Sequence, residues 1–139
     1  MKKLLWLDDL RNPFVMSDWL LQWSPEYHYK KDNGTHEVIW VKDYYEFVDW
    51  IQENGLPTEI GFDHDLGEDI AIEMVSNGTN KKVARKIKKE APSGFDCAKW
   101  VVDYCINNKK GIPQFFVQSA NPVGKKNIIT LLNNAIKHI

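Results

Sequence analysis

Two acidic clusters each follow a short apolar run in this sequence. The carboxylates are Asp8 and Asp9 after the first run, and Asp63 and Asp65 after the second. Such apolar runs predict strands buried on both faces, and open α/β sheets bind their ligands at the carboxyl ends of these strands. If the two strands are neighbours, four carboxylates converge on one small volume and cannot all stay ionised without a cation. Mg²⁺ or Mn²⁺, which prefer oxygen ligands, would suit them, so the first hypothesis is a metal-dependent phosphate site.

The alternative explanation is local, because aspartates after strands often cap helices or form turns. It would suffice for one pair, but two clusters at a common sheet edge favour a ligand site. We therefore predict that Asp8, Asp9 and Asp63 hold the metal ion. Asp65 either ligates the same ion or caps the following loop.

His64 lies between two of these aspartates. On an extended backbone its side chain would point away from theirs, since side chains alternate along a strand. If the chain has already left the strand, His64 can turn toward the site as a general acid or base. A structural histidine with one hydrogen bond is the alternative. His64 and Asp63 are the candidate catalytic residues.

A candidate phosphate site follows the last apolar run, where Ser119 emerges at the same edge. The N–H groups that open the next helix bind anions readily, and Lys125 or Lys126 adds positive charge. Asn121 is placed to cap that helix and contact the phosphate. Arg11 either clamps a phosphate or neutralises the first acidic pair.

A basic insert occupies residues 66–92, with six positive residues in nine positions: Lys81, Lys82, Arg85, Lys86, Lys88 and Lys89. The default interpretation is an amphipathic helix with a solvated lysine face, anchored by Val83 and Ile87. The functional interpretation is a basic arm that holds a nucleotide or an RNA end through its phosphates. No aromatic residue interrupts the run, which argues against binding by base stacking.

The elements that position these residues alternate between strand and helix. Strands are predicted over residues 3–7, 38–41, 59–63 and 115–117. Helices are predicted over 43–54 with Asp43 as the cap, about 69–75, from Ser93 or Asp96 to Gly111, and from 121–122 onward. This order predicts right-handed βαβ units, and hence one α/β domain over residues 1–139. We expect a parallel sheet of about four strands in the order 2-1-3-4, with helices on both faces. An extra antiparallel edge strand over residues 27–37 is the alternative.

Composition limits the remaining function classes. The net charge of −1 argues against a uniformly basic surface. No apolar run approaches a membrane span and no signal peptide is recognisable, so we expect a cytoplasmic protein without a membrane partner. Cys97 and Cys105 lie eight residues apart in one predicted helix, too far to bridge, and we expect buried thiols in a reducing compartment.

The order of these parts resembles the bacterial response-regulator receiver, a flavodoxin-like fold. Receivers carry an acidic pair after the first strand, an aspartate after the third and a hydroxyl residue after the fourth. The resemblance implies that Asp8 and Asp9 ligate Mg²⁺, that Asp63 is the phosphoryl-accepting position, and that Ser119 contacts phosphate.

The sequence is more similar to a divergent receiver branch of bacteria and phages, the cyclic-phosphate processing receiver domain. Four blocks carry this similarity: LDDLRNP at 7–13, FDHDLG at 62–67, SGFD at 93–96 and SANP at 119–122. The resemblance implies action on cyclic-phosphate ends of RNA or on cyclic nucleotides.

Two positions depart from these families. Receivers have a lysine at the end of a fifth strand, and no such strand is predicted here. Lys125, Lys126 or Arg11 could take its place, but phosphorelay signalling becomes less favoured. The divergent branch commonly has a histidine before the serine of its last block, where this sequence has Gln118. Glutamine can hydrogen-bond but cannot exchange protons near neutral pH. Three functions therefore remain open: hydrolysis of a phosphodiester, signalling through phosphorylated Asp63, and ligand binding without chemistry.

Overall fold

In the part of the chain that the structure describes, four segments form strands and five helices follow or separate them. The structure, a computed structural model, describes residues 2–10, 12–14, 36–66, 68–119 and 121–138. The strands are β1 (Lys2–Leu7), β2 (His36–Val41), β3 (Glu59–Phe62) and β4 (Gln114–Val117). The described helices are α1 (Tyr44–Asn54), α2 (Glu68–Ser76), α3 (Lys81–Glu90), α4 (Gly94–Asn108) and α5 (Pro122–His138).

The strands form one parallel sheet in the order β2-β1-β3-β4. In the register of the sheet, Leu5 pairs with Ile39 of β2 and with Ile60 of β3. This α/β arrangement and its strand order confirm the predicted receiver-like fold. Because β1 and β3 are neighbours, the acidic residues that follow them lie at the same edge. Residues 27–35 of the alternative edge strand lie outside the described part of the chain.

The central residues of the strands are apolar because they are buried on both faces of the sheet. One face forms the main core with α1, α4 and α5, and its central side chains include Leu5, Leu7, Phe47, Ile60, Phe62, Val101, Ile128 and Leu132. The other face carries a smaller cluster of Leu4, Trp6 and Phe116. Burying an aliphatic or aromatic side chain contributes about 1.5–3 kcal/mol, so the core holds the sheet edge in place.

Polar caps determine where the helices around the site begin. The Asp43 carboxylate accepts a hydrogen bond of 2.8 Å from the backbone N–H of Glu46, as predicted for α1. Of the two predicted starts for α4, Ser93 is the N-cap, and it forms a reciprocal capping box with Asp96. These caps satisfy N–H groups that would otherwise lack a partner.

The end of α4 differs from the prediction. The helix stops at Asn108, and Lys109 rather than Gly111 takes the left-handed backbone conformation, with φ of 55°. The backbone N–H of Lys110 donates to the Cys105 carbonyl at 2.9 Å, so two residues suffice to close the helix. Cys97 and Cys105 are buried thiols.

The basic insert is helical, but its buried face differs from the prediction. In α3, Ala84 is buried, whereas Val83 and Ile87 are 49% and 40% exposed. Val83 and Ile87 share one face because they lie four residues apart, and α3 turns the adjacent face inward. A short side chain at that position lets the helix approach its neighbours closely. Within the described ranges, no helix is long and apolar enough to cross a membrane.

Candidate metal and phosphate site

Three carboxylates meet where β1 and β3 end. Asp8, Asp9 and Asp63 are 1%, 4% and 4% exposed, and each offers an oxygen within 4.8 Å of the others. The parallel pairing of the two strands continues past their ends, because the Asp63 N–H donates to the Leu7 carbonyl at 3.0 Å. The predicted meeting of the first acidic pair with Asp63 is confirmed. These three residues are called the carboxylate trio below.

The backbone around the trio is fixed by hydrogen bonds. The Asp8 N–H donates to the Val41 carbonyl of β2 at 3.1 Å, and the Asp8 carboxylate accepts from the Leu10 N–H at 3.0 Å. The Trp40 indole N–H donates to the Asp8 carbonyl at 2.7 Å. The carboxylate therefore stays at the sheet edge because both flanks of its backbone are held.

The trio has the donor set of a site for a hard divalent cation. Three buried carboxylates in one small volume repel one another unless positive charge is close. Mg²⁺ and Mn²⁺ take oxygen ligands and retain waters, so two or three carboxylates leave coordination positions open for a phosphate. The residues present therefore fit the cation that the receiver resemblance implies.

His64 lies in the loop that follows the trio. Because β3 ends at Phe62, strand alternation does not determine the direction of its side chain. The side chain is 23% exposed, and its Nδ1 lies 2.9 Å from Asp65 Oδ1. This contact leaves Nε2 as the ring nitrogen for exchange with a ligand.

Asp65 belongs to this histidine network rather than to the trio. Its side chain is 49% exposed, and Oδ1 also accepts a hydrogen bond from the Asn121 amide at 3.4 Å. This carboxylate orients His64 and ties the loop to the start of α5. Metal ligation by Asp65 stays a prediction, and the observed contacts favour a positioning role.

Two glycines allow helices to approach the loop closely, and sequence reasoning missed both. A Cβ at Gly94 would lie 1.7 Å from the Asp63 carbonyl oxygen, and the Gly94 N–H donates to the His64 carbonyl at 2.8 Å. A Cβ at Gly124 would lie 2.3 Å from Cγ of the His64 ring. The SGFD block at 93–96 contains Gly94, but its residue pattern predicts a helix start and not this close approach.

Gln118 hydrogen-bonds to the backbone of the two strands that lead into the trio. It is fully buried, and its amide nitrogen donates to the Leu7 carbonyl at 2.9 Å. Its backbone N–H donates to the Phe62 carbonyl, also at 2.9 Å. Gln118 thus links β4 to the residues that immediately precede Asp8 and Asp63, which is a structural role.

The predicted phosphate ligands lie around the start of α5. Ser119 is buried, and its Oγ accepts from the Asn121 N–H at 3.1 Å. Asn121 caps α5 through its Oδ1, which accepts from the Gly124 N–H at 3.0 Å. Lys125 is half-buried in the first turn. Arg11 and Ala120 lie outside the described residues, so a phosphate contact of Arg11 stays a prediction.

A cavity of about 320 Å³ lies beside the His64 loop. Its lining residues are His64, Asp65, Leu66, Arg85, Lys89, Ala91 and Ser93. Two cations of α3 therefore face the histidine across this cavity. Arg85 and Lys89 of the basic insert therefore lie beside the loop that carries His64.

Comparison with known proteins gives one match. A family model described as the cyclic-phosphate processing receiver domain matches residues 3–134. No curated protein and no solved structure gives a significant match. The matched range contains all four sequence blocks that carry the resemblance, and that resemblance is confirmed.

Proposed function

The chain belongs to the family of cyclic-phosphate processing receiver domains, and on that premise we propose that it hydrolyses a cyclic phosphate carried by a nucleotide or an RNA end. The observation that carries the proposal is the position of His64. It follows Asp63 of the carboxylate trio directly, and Asp65 holds its ring. A metal site and a proton carrier are the two requirements of metal-assisted phosphodiester hydrolysis.

The carboxylate trio would hold Mg²⁺ or Mn²⁺. When bound, such a cation withdraws charge from the phosphoryl oxygens and offsets the charge that develops during hydrolysis. The three carboxylates are buried at the edge of the sheet. Their burial strengthens electrostatic interactions there, since water screens them less.

His64 would move the proton. With Nδ1 held by Asp65, Nε2 accepts a proton from the attacking water as its oxygen bonds to phosphorus. The P–O bond to one ribose oxygen breaks, and His64 returns the proton to that leaving oxygen. The reaction converts a cyclic diester and water into a phosphate monoester and a hydroxyl group.

The phosphate would be held by residues that follow β4. The Ser119 hydroxyl, the Lys125 ammonium and N–H groups at the start of α5 supply donors of the kind that bind phosphate. Asn121 positions this turn through its cap. Arg11 follows Asp8 and Asp9 in sequence and would add a guanidinium.

A second candidate is a regulatory module that binds the same ligand, or accepts a phosphoryl group at Asp63, without hydrolysis. Gln118 favours it, because a histidine common in the family is replaced here by a buried amide committed to the Leu7 carbonyl. Proton transfer would then depend on His64 alone.

The test is turnover of adenosine 2′,3′-cyclic phosphate by the purified protein, followed by chromatography. We expect hydrolysis that requires Mg²⁺ or Mn²⁺ and that falls by about 10²–10⁴-fold in His64→Ala. His138→Ala is the matched control, because His138 lies at the opposite end of α5 and should leave the rate unchanged. Asp63→Asn should also lose activity.

Two results would contradict the enzyme function. Equal rates for His64→Ala and the unmutated protein would remove His64 from the mechanism. Metal and nucleotide binding without any turnover would favour the regulatory module instead.

A further inference from the structure

The described basic side chains of α3 do not all face the cavity beside His64. Arg85 and Lys89 line the cavity beside His64, whereas Lys82 and Lys86 are exposed and do not line it. Residues four apart lie on the same face of a helix, so each pair presents its two charges together. The helix therefore has one basic pair turned to the cavity and one turned away.

The described side chains that line the cavity carry net positive charge. Within the part of the chain that the structure describes, neither Arg85 nor Lys89 takes part in an ion pair. Among the described lining residues Asp65 is the one carboxylate, and it already accepts hydrogen bonds from His64 and Asn121. Two cations beside one carboxylate that already has hydrogen-bond partners favour the binding of an anionic group. Guanidinium and ammonium groups are common phosphate ligands in proteins.

The cavity adjoins the proposed site of hydrolysis. Asp63 of the trio and His64 of the cavity lining are consecutive residues, with Cα atoms about 3.8 Å apart across a trans peptide. At about 320 Å³ the cavity is within the size range of small-ligand pockets. A ligand with one phosphate at the trio can therefore place another of its groups in the cavity.

We propose that Arg85 and Lys89 form a subsite for a second phosphate of the same ligand. The proposal rests on the proposed function, which places the cyclic phosphate at the trio. In a 2′,3′-cyclic phosphate, the next phosphate is attached through the 5′ oxygen of the same nucleoside. The subsite thus selects ligands that carry a 5′ phosphate, either as the internucleotide link of an RNA end or as a 5′ monoester.

The test compares kcat/KM for three substrates. They are adenosine 2′,3′-cyclic phosphate, its 5′-phosphorylated form, and the dinucleotide that ends in the same cyclic phosphate. We expect the two substrates with a second phosphate to be preferred by about tenfold, as charge-assisted hydrogen bonds to one more group imply. In the double variant Arg85→Gln, Lys89→Gln, this preference should fall to about one.

The matched control is the double variant Lys82→Gln, Lys86→Gln, which removes the same charge from the same helix. It should keep the preference, because a uniform loss of positive charge weakens attraction of all three substrates together. A preference confined to the 5′-monoester would identify a nucleoside bisphosphate as the ligand and uphold the subsite. A preference that the dinucleotide shares would show that the subsite also accepts RNA ends.

Three outcomes would overturn the subsite. They are equal kcat/KM for all three substrates, a preference that survives in the Arg85, Lys89 variant, and equal loss of preference in both double variants. In each case hydrolysis itself would remain, so the proposed function would stand. Absence of turnover with every substrate would instead remove the proposed function and the subsite together.

Discussion

At the scale of single residues, the carboxylate trio predicts that the stability of the protein depends on a cation. Asp8, Asp9 and Asp63 are buried with oxygens within 4.8 Å of one another. A cation that binds only the folded chain raises the free energy of unfolding in proportion to the logarithm of its concentration. Thermal unfolding therefore reports on the site without any need for a substrate.

We expect Mg²⁺ or Mn²⁺ at about ten times its dissociation constant to raise Tm by about 3–6 °C, from a stabilisation of about 1.4 kcal/mol. Asp9→Asn and Asp63→Asn should each reduce this shift strongly. Asp49→Asn, at an exposed position of α1, makes the same charge change and should retain it. No shift in the unmutated protein at millimolar metal would contradict the metal site.

The contact between His64 and Gly124 allows activity to be separated from metal binding. In Gly124→Ala, the new Cβ would displace the His64 ring, which can rotate away at little cost. Alanine also favours a helix over glycine by about 1 kcal/mol, so the net change in stability should be small. We expect hydrolysis to fall by about tenfold or more, because the ring leaves its contact with Asp65.

Rates of cyclic-phosphate hydrolysis and metal-induced Tm shifts should be measured on the same Gly124→Ala preparation. Val123→Ala, at the adjacent exposed position, is the control and should leave both quantities unchanged. Unaltered hydrolysis in Gly124→Ala would mean that the orientation of His64 does not matter.

At the scale of elements, α4 begins against the backbone of the site. In Gly94→Ala, the added Cβ would meet the Asp63 carbonyl, a backbone atom that cannot turn away. The clash should cost about 1–3 kcal/mol, which exceeds the gain of about 1 kcal/mol in helix propensity. Because Asp63 must shift, the metal-induced rise in Tm should decrease as well.

Urea unfolding with and without metal measures both effects of Gly94→Ala. Gly111→Ala is the control, since its Cβ would meet nothing within 4 Å, and its free energy of unfolding should change by less than about 0.5 kcal/mol. Equal stability of the two glycine variants would contradict the close approach of α4 to the loop.

The Cys97 thiol of α4 should make the free energy of unfolding decrease at alkaline pH. Burial raises the pKa of Cys97 well above its ordinary value of 9.0, and the Asp96 and Asp43 carboxylates add to this effect. A raised pKa in the folded state gives stability that is complete below about pH 9 and is lost as pH rises above it. Each such thiol lowers the free energy of unfolding by up to about 1.4 kcal/mol per pH unit there.

Urea unfolding between pH 8 and pH 10.5 should therefore show a shallower decline for Cys97→Ala than for the unmutated protein. Ile51→Val, which removes one methyl group from the same core without a titrating group, should keep the original slope. Identical slopes for the cysteine variant and the unmutated protein would remove Cys97 as the cause.

At the scale of the whole molecule, the residues at the strand ends bear on whether Asp63 can carry a phosphoryl group. The residues that directly follow the four described strands are Asp8, Lys42, Asp63 and Gln118. Lys42 is the one cation among them, and its ammonium lies 4.6 Å from the centroid of the Trp40 ring on the far side of β1. A phosphoryl group transferred to Asp63 would need positive charge beside it.

We expect no stable phosphorylation of Asp63 on incubation with acetyl phosphate and Mg²⁺. Intact mass spectrometry under acid conditions measures this directly, with Asp63→Asn as the control. A stoichiometric gain of one phosphoryl group that is absent from the variant would favour the regulatory module over the enzyme.

Features governed by local pattern were predictable from the sequence. Apolar runs buried on both faces gave the four strands and their parallel order, and the caps at Asp43 and Ser93 followed from residue types that satisfy open N–H groups. The convergence of Asp8 and Asp9 with Asp63 followed too, because neighbouring parallel strands end at the same edge.

Only the tertiary structure decided which partners the remaining site residues have. Asp65 binds His64 and Asn121 rather than joining the trio, and Gly94 and Gly124 are required by contacts between segments far apart in sequence. The helical period places Arg85 and Lys89 on one face of α3, but the packing of the helix against its neighbours decides which face is buried. Side-chain type and spacing determine local structure, whereas distances across the sheet depend on how whole elements pack.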